Sequence, residues 1–333
     1  MAKQDRFSGR KNAGSVGSMM RSRVREHTRR MSERTRRNYL MACKAFDGWR
    51  KEQGYSNKAV SKAPQTYVEQ WRDALAEADY SAGTIHTYIA GVCCGLGIPM
   101  TGITKTGTAA DKRKSLGGCL RACKALERPE NADIVAFQRM VGGRRSALQR
   151  LTGSDFVKDE SGQWCVRFTR DKGGKSQLQR ISPEDVPRVK VYFDAAAPDK
   201  RLFPTTIDRN LDLHGLRADH ARQEYTRYAQ ICKTPEGRAE QRLQLWARFC
   251  DPEYGCKAWL SAKERGDIAG MKRAERAFAA EMADGVYYLQ RDNRKVALQR
   301  GRPTGYDRLA LCCVSVFSLS HWRNEVTVKH YML

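Results

Sequence analysis

Near the end of the chain, the run Leu319-Ser320-His321-Trp322-Arg323-Asn324-Glu325-Val326-Thr327-Val328-Lys329-His330-Tyr331 sets an imidazole ten residues ahead of a phenol. A phenol is a poor nucleophile at neutral pH unless it is deprotonated or held by cations. Three earlier segments offer groups of that kind. Gly142-Gly143-Arg144-Arg145-Ser146-Ala147-Leu148 turns the chain on two glycines and opens a helix with an arginine. A guanidinium there can fork onto a phosphate, helped by helix N-terminal amides. Thr169-Arg170-Asp171-Lys172-Gly173-Gly174-Lys175 sets lysines about a Gly-Gly turn, so that a hairpin tip can lie against DNA and bring a lysine to a leaving oxygen. Leu213-His214-Gly215-Leu216-Arg217 puts a proton-transfer group and a phosphate clamp on one helix face. Each segment alone also has an ordinary reading: a surface arginine beside a turn, an exposed hairpin, a capping histidine next to a solvated arginine.

In order and spacing, these segments together resemble the signature of the tyrosine recombinase (phage integrase) family. That signature has an Arg box, a hairpin Lys, a His-x-x-Arg box, a Leu-Gly-His-like box and a Tyr nucleophile. The second half of the chain carries the match; the part before it resembles the family's core-binding domain on pattern only. The resemblance implies a site-specific recombinase with catalytic residues Arg144, Lys172, His214, Arg217, His321 and Tyr331. It implies that Tyr331 attacks a scissile phosphate to form a 3′-phosphotyrosyl bond. Arg144 and Arg217 hold the non-bridging oxygens, Lys172 protonates the leaving 5′ oxygen, His214 handles the tyrosine proton and His321 hydrogen-bonds the phosphate. It further implies double-stranded DNA as substrate, a homo-tetramer on two duplexes passing through a four-way junction, room for DNA-bending accessory proteins, and no metal or other cofactor. A cytoplasmic or nucleoid-associated place in a prokaryotic cell goes with that role.

The sequence departs from the family pattern in four places. Where the family often has an acid, three positions after its first arginine, stands Ala147, which predicts weaker activity. Ser320 replaces the glycine before His321, which predicts an altered turn. A long gap separates Arg217 from His321, so that about residues 223–300 read as an insertion. Only Met332 and Leu333 follow Tyr331, fewer than in relatives whose tails dock on a neighbouring subunit. These departures keep two alternatives open: a DNA-binding accessory protein of the same fold with weakened catalysis, and an enzyme that relaxes DNA by the same tyrosine chemistry.

The elements that must position these groups are mainly helical, with a small antiparallel β-sheet, an α+β class. Residues 1–30 read as a flexible basic arm. Residues 31–110 read as a helical DNA-binding domain with three amphipathic helices. Ser32 caps the first, which carries Tyr39, Leu40, Cys43 and Phe46 on one face; Pro64 opens the second, with Tyr67, Val68, Trp71 and Leu75; Ser81 starts the third, with Ile85, Tyr88, Ile89 and Val92, and Gly97 ends it. Thr101 to Ser115 reads as a basic linker. Residues 111–333 read as the catalytic domain. It begins with helices at Ala132–Val141 and from Arg144. A hairpin follows from Trp164 through the Lys172–Lys175 turn to Ile181, then helices at 214–225 and 306–319. In the insertion, Leu243, Leu245, Trp246 and Phe249 predict packed helices.

The composition agrees with a polyanionic partner. Lys and Arg number 61 against 37 Asp and Glu, a formal charge of +24 over 333 residues. Neutralising phosphates releases condensed counterions, so nucleic acid is the first partner such an excess predicts and an anionic membrane surface the second. Candidate DNA contacts are Arg29, Arg30, Arg36 and Arg37 near the arm, Lys105, Lys112, Arg113 and Lys114 in the linker, and Arg145 and Lys175 in the catalytic domain. The longest apolar stretch, Leu309 to Leu319, is far short of the roughly 20 residues of a membrane span. The basic N-terminus has no apolar core and does not read as a secretory signal. Eleven cysteines, an odd number, read as reduced thiols; neither Cys119 with Cys123 nor Cys250 with Cys256 has zinc-knuckle spacing. No P-loop pattern is present.

Overall fold

A computed structural model of the chain describes residues 15–104, 124–171, 175–204 and 206–333. The fold is mainly α with small antiparallel sheets, and the chain divides into two compact units, Met1–Lys114 and Ser115–Leu333.

The described part of the first unit is a helical bundle: α1 Val16–His27, α2 Glu33–Glu52, α3 Asn57–Lys62, α4 Pro64–Glu77 and α5 Ala82–Leu96. The caps are local in origin. The hydroxyls of Ser32 and Ser81 accept from the amides of Thr35 and Thr84, Pro64 supplies a preset φ at the start of α4, and Gly97 closes α5 at φ 73°. Cys43, Phe46, Val68, Trp71, Ile85, Ile89 and Val92 meet in one core, with the rings of Phe46 and Trp71 edge to face at 5.3 Å. Burying each large apolar side chain contributes roughly 1.5–3 kcal/mol, which is what makes helices of this length stable.

Two differences from the sequence-based expectation stand out here. The segment expected to be a flexible arm to residue 30 contains α1, whose Val16, Met20 and Val24 are buried in the same core. Its apolar stripe is three residues spaced by four, easily masked by the basic residues between them. The short helix α3 carries a single buried residue, Val60, and offers no periodicity to read.

The second unit opens with α6 Ala132–Val141 and the short α7 Arg145–Leu148, followed by a three-stranded antiparallel sheet. Its strands are β1 Phe156–Lys158, β2 Trp164–Asp171 and β3 Lys175–Arg180. In the β2–β3 pair, Val166 faces Gln179, Phe168 faces Gln177 and Asp171 faces Lys175, with the register shifting between Phe168 and Asp171. The remaining elements are α8 Val186–Asp194, α9 Leu213–Ile231, α10 Pro235–Cys250, α11 Lys257–Glu264, α12 Ile268–Glu281, β4 Val286–Tyr288, α13 Arg291–Gln299, β5 Gly305–Asp307, α14 Arg308–Cys313 and α15 Asn324–Thr327. Wider π-helical turns follow α14 at Val314–Ser318 and α15 at Val328–Met332.

Residue 223, read as the start of an insertion, lies inside α9, which runs on to Ile231. Leu245, Phe249, Trp259 and Phe278 of the following helices share a core with Leu309, Phe317 and Tyr331. Leu243, expected on the packed stripe, is 68% exposed, because two residues along a helix turn it away from Leu245. A buried ionic network fastens α10 to the sheet. Asp159 Oδ2 accepts from Arg180 Nε at 2.6 Å and from Arg248 Nη2 at 3.0 Å, and Arg248 Nη1 donates to the Leu178 carbonyl at 3.0 Å. Among the described residues, no helix is long and apolar enough to cross a membrane.

Candidate active site

The site grows from the end of α6. Gly142 stops that helix in the left-handed region, at φ 65°, and a Cβ there would lie 2.3 Å from His220 Cδ2. Only glycine fits both demands. Its carbonyl then accepts a hydrogen bond from Arg217 on α9. Two residues on, Arg144 takes the extended N-cap position of α7, and its side chain leaves toward the sheet. Its Nη1 donates to Asp171 Oδ2 at the end of β2 and to Gln177 Oε1 on β3, the latter at 3.0 Å, while Nη2 lies 3.5 Å from His321 Nε2.

Arg217 is among the most deeply buried charged side chains in the protein, with 1% of its surface exposed. Burial of that depth is tolerable only when the donors are satisfied. Nη1 donates to the Gly142 carbonyl and to Gln179 Oε1 at 3.2 Å, Nη2 to the Leu319 carbonyl at 2.9 Å, and Nε to the Tyr331 hydroxyl at 3.3 Å. Gln179 is itself held, its amide donating to the carbonyls of Val141 (3.1 Å) and Ser318.

Three imidazoles surround the phenol. The ring centroids of His214, His321 and His330 lie 5.3, 5.8 and 6.3 Å from that of Tyr331. His214 projects from the first turn of α9, which Asp212 caps by accepting from the Gly215 amide at 2.9 Å. Burial, and then the neighbouring Arg217 charge, push the His214 pKa below its ordinary value, which favours the neutral ring. Tyr331 sits in the last π-helical turn, where Arg222 Nη1 donates to its carbonyl at 2.8 Å. The adjoining Met332 and Leu333 are buried against Leu289, Val296 and Tyr306.

Arg144, His214, Arg217 and His321 therefore gather around Tyr331 of the same chain. Chemically, the arrangement sets two guanidinium groups near the phenol, one of them donating to its oxygen, where positive charge can stabilise an anion. Among the described residues, no group of three or more His, Cys, Asp or Glu side chains could hold a metal ion.

The other sequence-based candidates fall differently. Lys172 lies outside the described residues, as do Lys105, Lys112, Arg113 and Lys114. The backbone of Lys175 pairs with Asp171 across the hairpin. Arg29 and Arg30 are exposed after α1; Arg36 is half-buried on α2, and Arg37 pairs with Glu33 at 3.5 Å. Arg145 does not suit a DNA contact. Its guanidinium donates to the carbonyls of Ile207, Asp208 and Leu211, at 3.4, 2.7 and 2.5 Å, and so fastens the loop before α9. Ser320 adopts φ 53°, in the left-handed region that a glycine favours. Ala147 is buried, and Arg144 is paired with an acid of the hairpin, Asp171.

Sequence reasoning missed Asp171, Gln177 and Gln179. Asp171 was visible as the one acid within a basic hairpin, and the glutamines as polar residues two apart on a strand, which places them on one face. Nothing local says what that face meets.

No family model matches the chain, and no curated protein matches it. Among solved structures, the integrase of transposon Tn1549, in complex with transposon right-end DNA, is similar at a TM-score of 0.36 and 12% identity. The match covers 67% of this chain and 89% of that one. A likeness at that level says nothing of chemistry.

Proposed function

We propose that the protein is a site-specific DNA recombinase that breaks and rejoins strands through a 3′-phosphotyrosyl bond on Tyr331. The observation that carries this reading is the convergence of Arg144, Arg217, His214 and His321 on one terminal phenol. Phosphodiester cleavage needs a nucleophile in line, positive charge on the non-bridging oxygens, a proton acceptor for the nucleophile and a proton donor for the leaving group. Tyr331 supplies the first. Arg144 and Arg217 supply the second. Neutral His214 takes the phenol proton as its oxygen attacks phosphorus, and His321 hydrogen-bonds the phosphate. Lys172 protonates the departing 5′ oxygen. Attack by a 5′ hydroxyl of a second strand reverses the step without net change in bond energy, so no nucleotide is consumed. The reading includes a tetramer on two duplexes, with a four-way junction between exchanges.

The test uses a duplex carrying the recognised site, found as a repeated core in DNA flanking the gene, with a nick beside the cleavage point. The nick lets the short fragment escape, so the covalent intermediate accumulates. Wild-type protein traps a DNA adduct, whereas Tyr331→Phe binds the same duplex and forms none. Adducts with the Phe variant would refute the nucleophile, and specific binding by wild type with no adduct would favour an accessory protein of the same fold. Lys172→Ala slows cleavage much more than it weakens binding; equal losses would count against its role as general acid.

A further inference from the structure

Asp171 is buried to 4% exposure, one carboxylate oxygen bonded to Arg144 and the other, Oδ1, buried with no hydrogen-bond partner. A buried carboxylate with an unsatisfied oxygen costs free energy, so its retention beside a functional arginine asks for a reason. Geometry supplies one. A guanidinium offers two hydrogens on each terminal nitrogen and one on Nε. Asp171 and Gln177 both accept from Nη1, so its two hydrogens are used. What remains is the parallel pair on Nε and Nη2, the fork that matches two phosphate oxygens, and Nη2 is the nitrogen that lies toward His321. The irregular register of β2 between Phe168 and Asp171 is the kind of bulge that re-aims a strand side chain.

We propose that Asp171 is a positioning residue for the reaction assigned above: with Gln177 it grips Arg144 by one nitrogen and turns the opposite edge of the guanidinium toward the phosphate beside His321. It touches no substrate and acts through Arg144. Its charge also offsets part of the repulsion between Arg144 and Arg217 before DNA arrives. The proposal rests on the recombinase reading, and it accounts for the tolerance of alanine at position 147.

Asp171→Asn keeps the shape and one acceptor but weakens the grip. In a single-turnover assay on the nicked duplex, adduct formation falls on the order of 10²-fold, the scale of a misplaced catalytic group. The DNA dissociation constant stays within about threefold or tightens, because one negative charge leaves the neighbourhood of the phosphate. Asp171→Glu recovers part of the rate. A merely structural role would instead lower binding, rate and thermal stability together, and an unchanged rate in the Asn variant would overturn the proposal. A second measurement needs no variant to fold. In wild-type protein without DNA, the Arg144 guanidinium, assigned by comparison with Arg144→Lys, gives separate Nη resonances because rotation about its Cζ–Nε bond is held. Fast averaging in the wild type would overturn the proposal. Absence of any adduct with wild type would remove the recombinase reading alone, since the resonance test still decides whether Arg144 is gripped.

Discussion

Replacing Ser320 with glycine stabilises the second unit, and the size of the effect follows from two features of that residue. Ser320 holds φ 53°, and its hydroxyl oxygen is buried without a hydrogen-bond partner. The left-handed conformation costs an L-residue roughly 1–2 kcal/mol, which glycine avoids. An unsatisfied buried hydroxyl costs about 1–3 kcal/mol, which glycine also removes. Against these, glycine adds freedom to the unfolded chain worth roughly 0.4–1 kcal/mol. The net gain is at least about 1 kcal/mol, a rise of roughly 2–4 °C in melting temperature for a unit of this size. Ser320→Ala separates the two contributions. It deletes the hydroxyl but keeps Cβ, so it gains only the second, and the expected order of stability is glycine, then alanine, then serine. Denaturant and thermal melts of the whole chain measure all three. A glycine variant no more stable than wild type would show that the hydroxyl is satisfied or that the turn is not left-handed, and the reasoning would fail.

Other perturbations test other joints of the structure. Gly142→Ala forces a Cβ against His220 in a left-handed turn and disturbs the carbonyl that Arg217 uses, so it lowers stability by about 2 kcal/mol or more and, on the proposed function, depresses cleavage; a substitution silent in stability would contradict the packing. Arg248→Met breaks the link from α10 to Asp159 and the Leu178 carbonyl and costs about 3 kcal/mol, read as a lower denaturant midpoint, because the remaining carboxylate is buried. His214 and His220 both have pKa values pushed below 6.5 by burial, so the folded protein keeps them neutral where the unfolded chain takes up protons. Their contribution to stability is full above pH 6.5 and is lost as pH falls below it toward the folded values, which melts between pH 7.5 and 5.5 would register and a flat profile would contradict.

How much of this was readable beforehand depended on the range of the interaction. Caps are local, so Ser32, Pro64, Ser81 and Gly97 marked their helix ends correctly. The hairpin from Trp164 was equally plain, since its strands are adjacent in sequence. Arg144 and Arg145 could not be told apart by composition. One occupies an extended N-cap and faces the sheet, and the other begins the helix and faces the loop before α9. A difference of one residue in backbone conformation decides which arginine joins the site. The roles of Asp171, Gln177 and Gln179 depend on strand register and on partners 27 to 38 residues away, which no local pattern records.

The two arginines are held by the same device and end with different capacities. Each has its Nη1 saturated by a glutamine of β3 and one further acceptor: Gln177 and Asp171 for Arg144, Gln179 and the Gly142 carbonyl for Arg217. The strand's twofold period puts both glutamines on one face, so a single element fixes the spacing of the pair. Arg217 also commits Nε to Tyr331 and one Nη2 hydrogen to Leu319, leaving one N–H of five. Arg144 retains the Nε–Nη2 fork. On the proposed reading, Arg144 is then the two-point clamp on the phosphate. Arg217 gives a single bond and otherwise steadies the phenol oxygen until it attacks. Conversion to lysine discriminates the two roles: at 144 it removes the fork and weakens phosphate engagement, whereas at 217 it leaves buried acceptors unmatched and costs stability as well as rate.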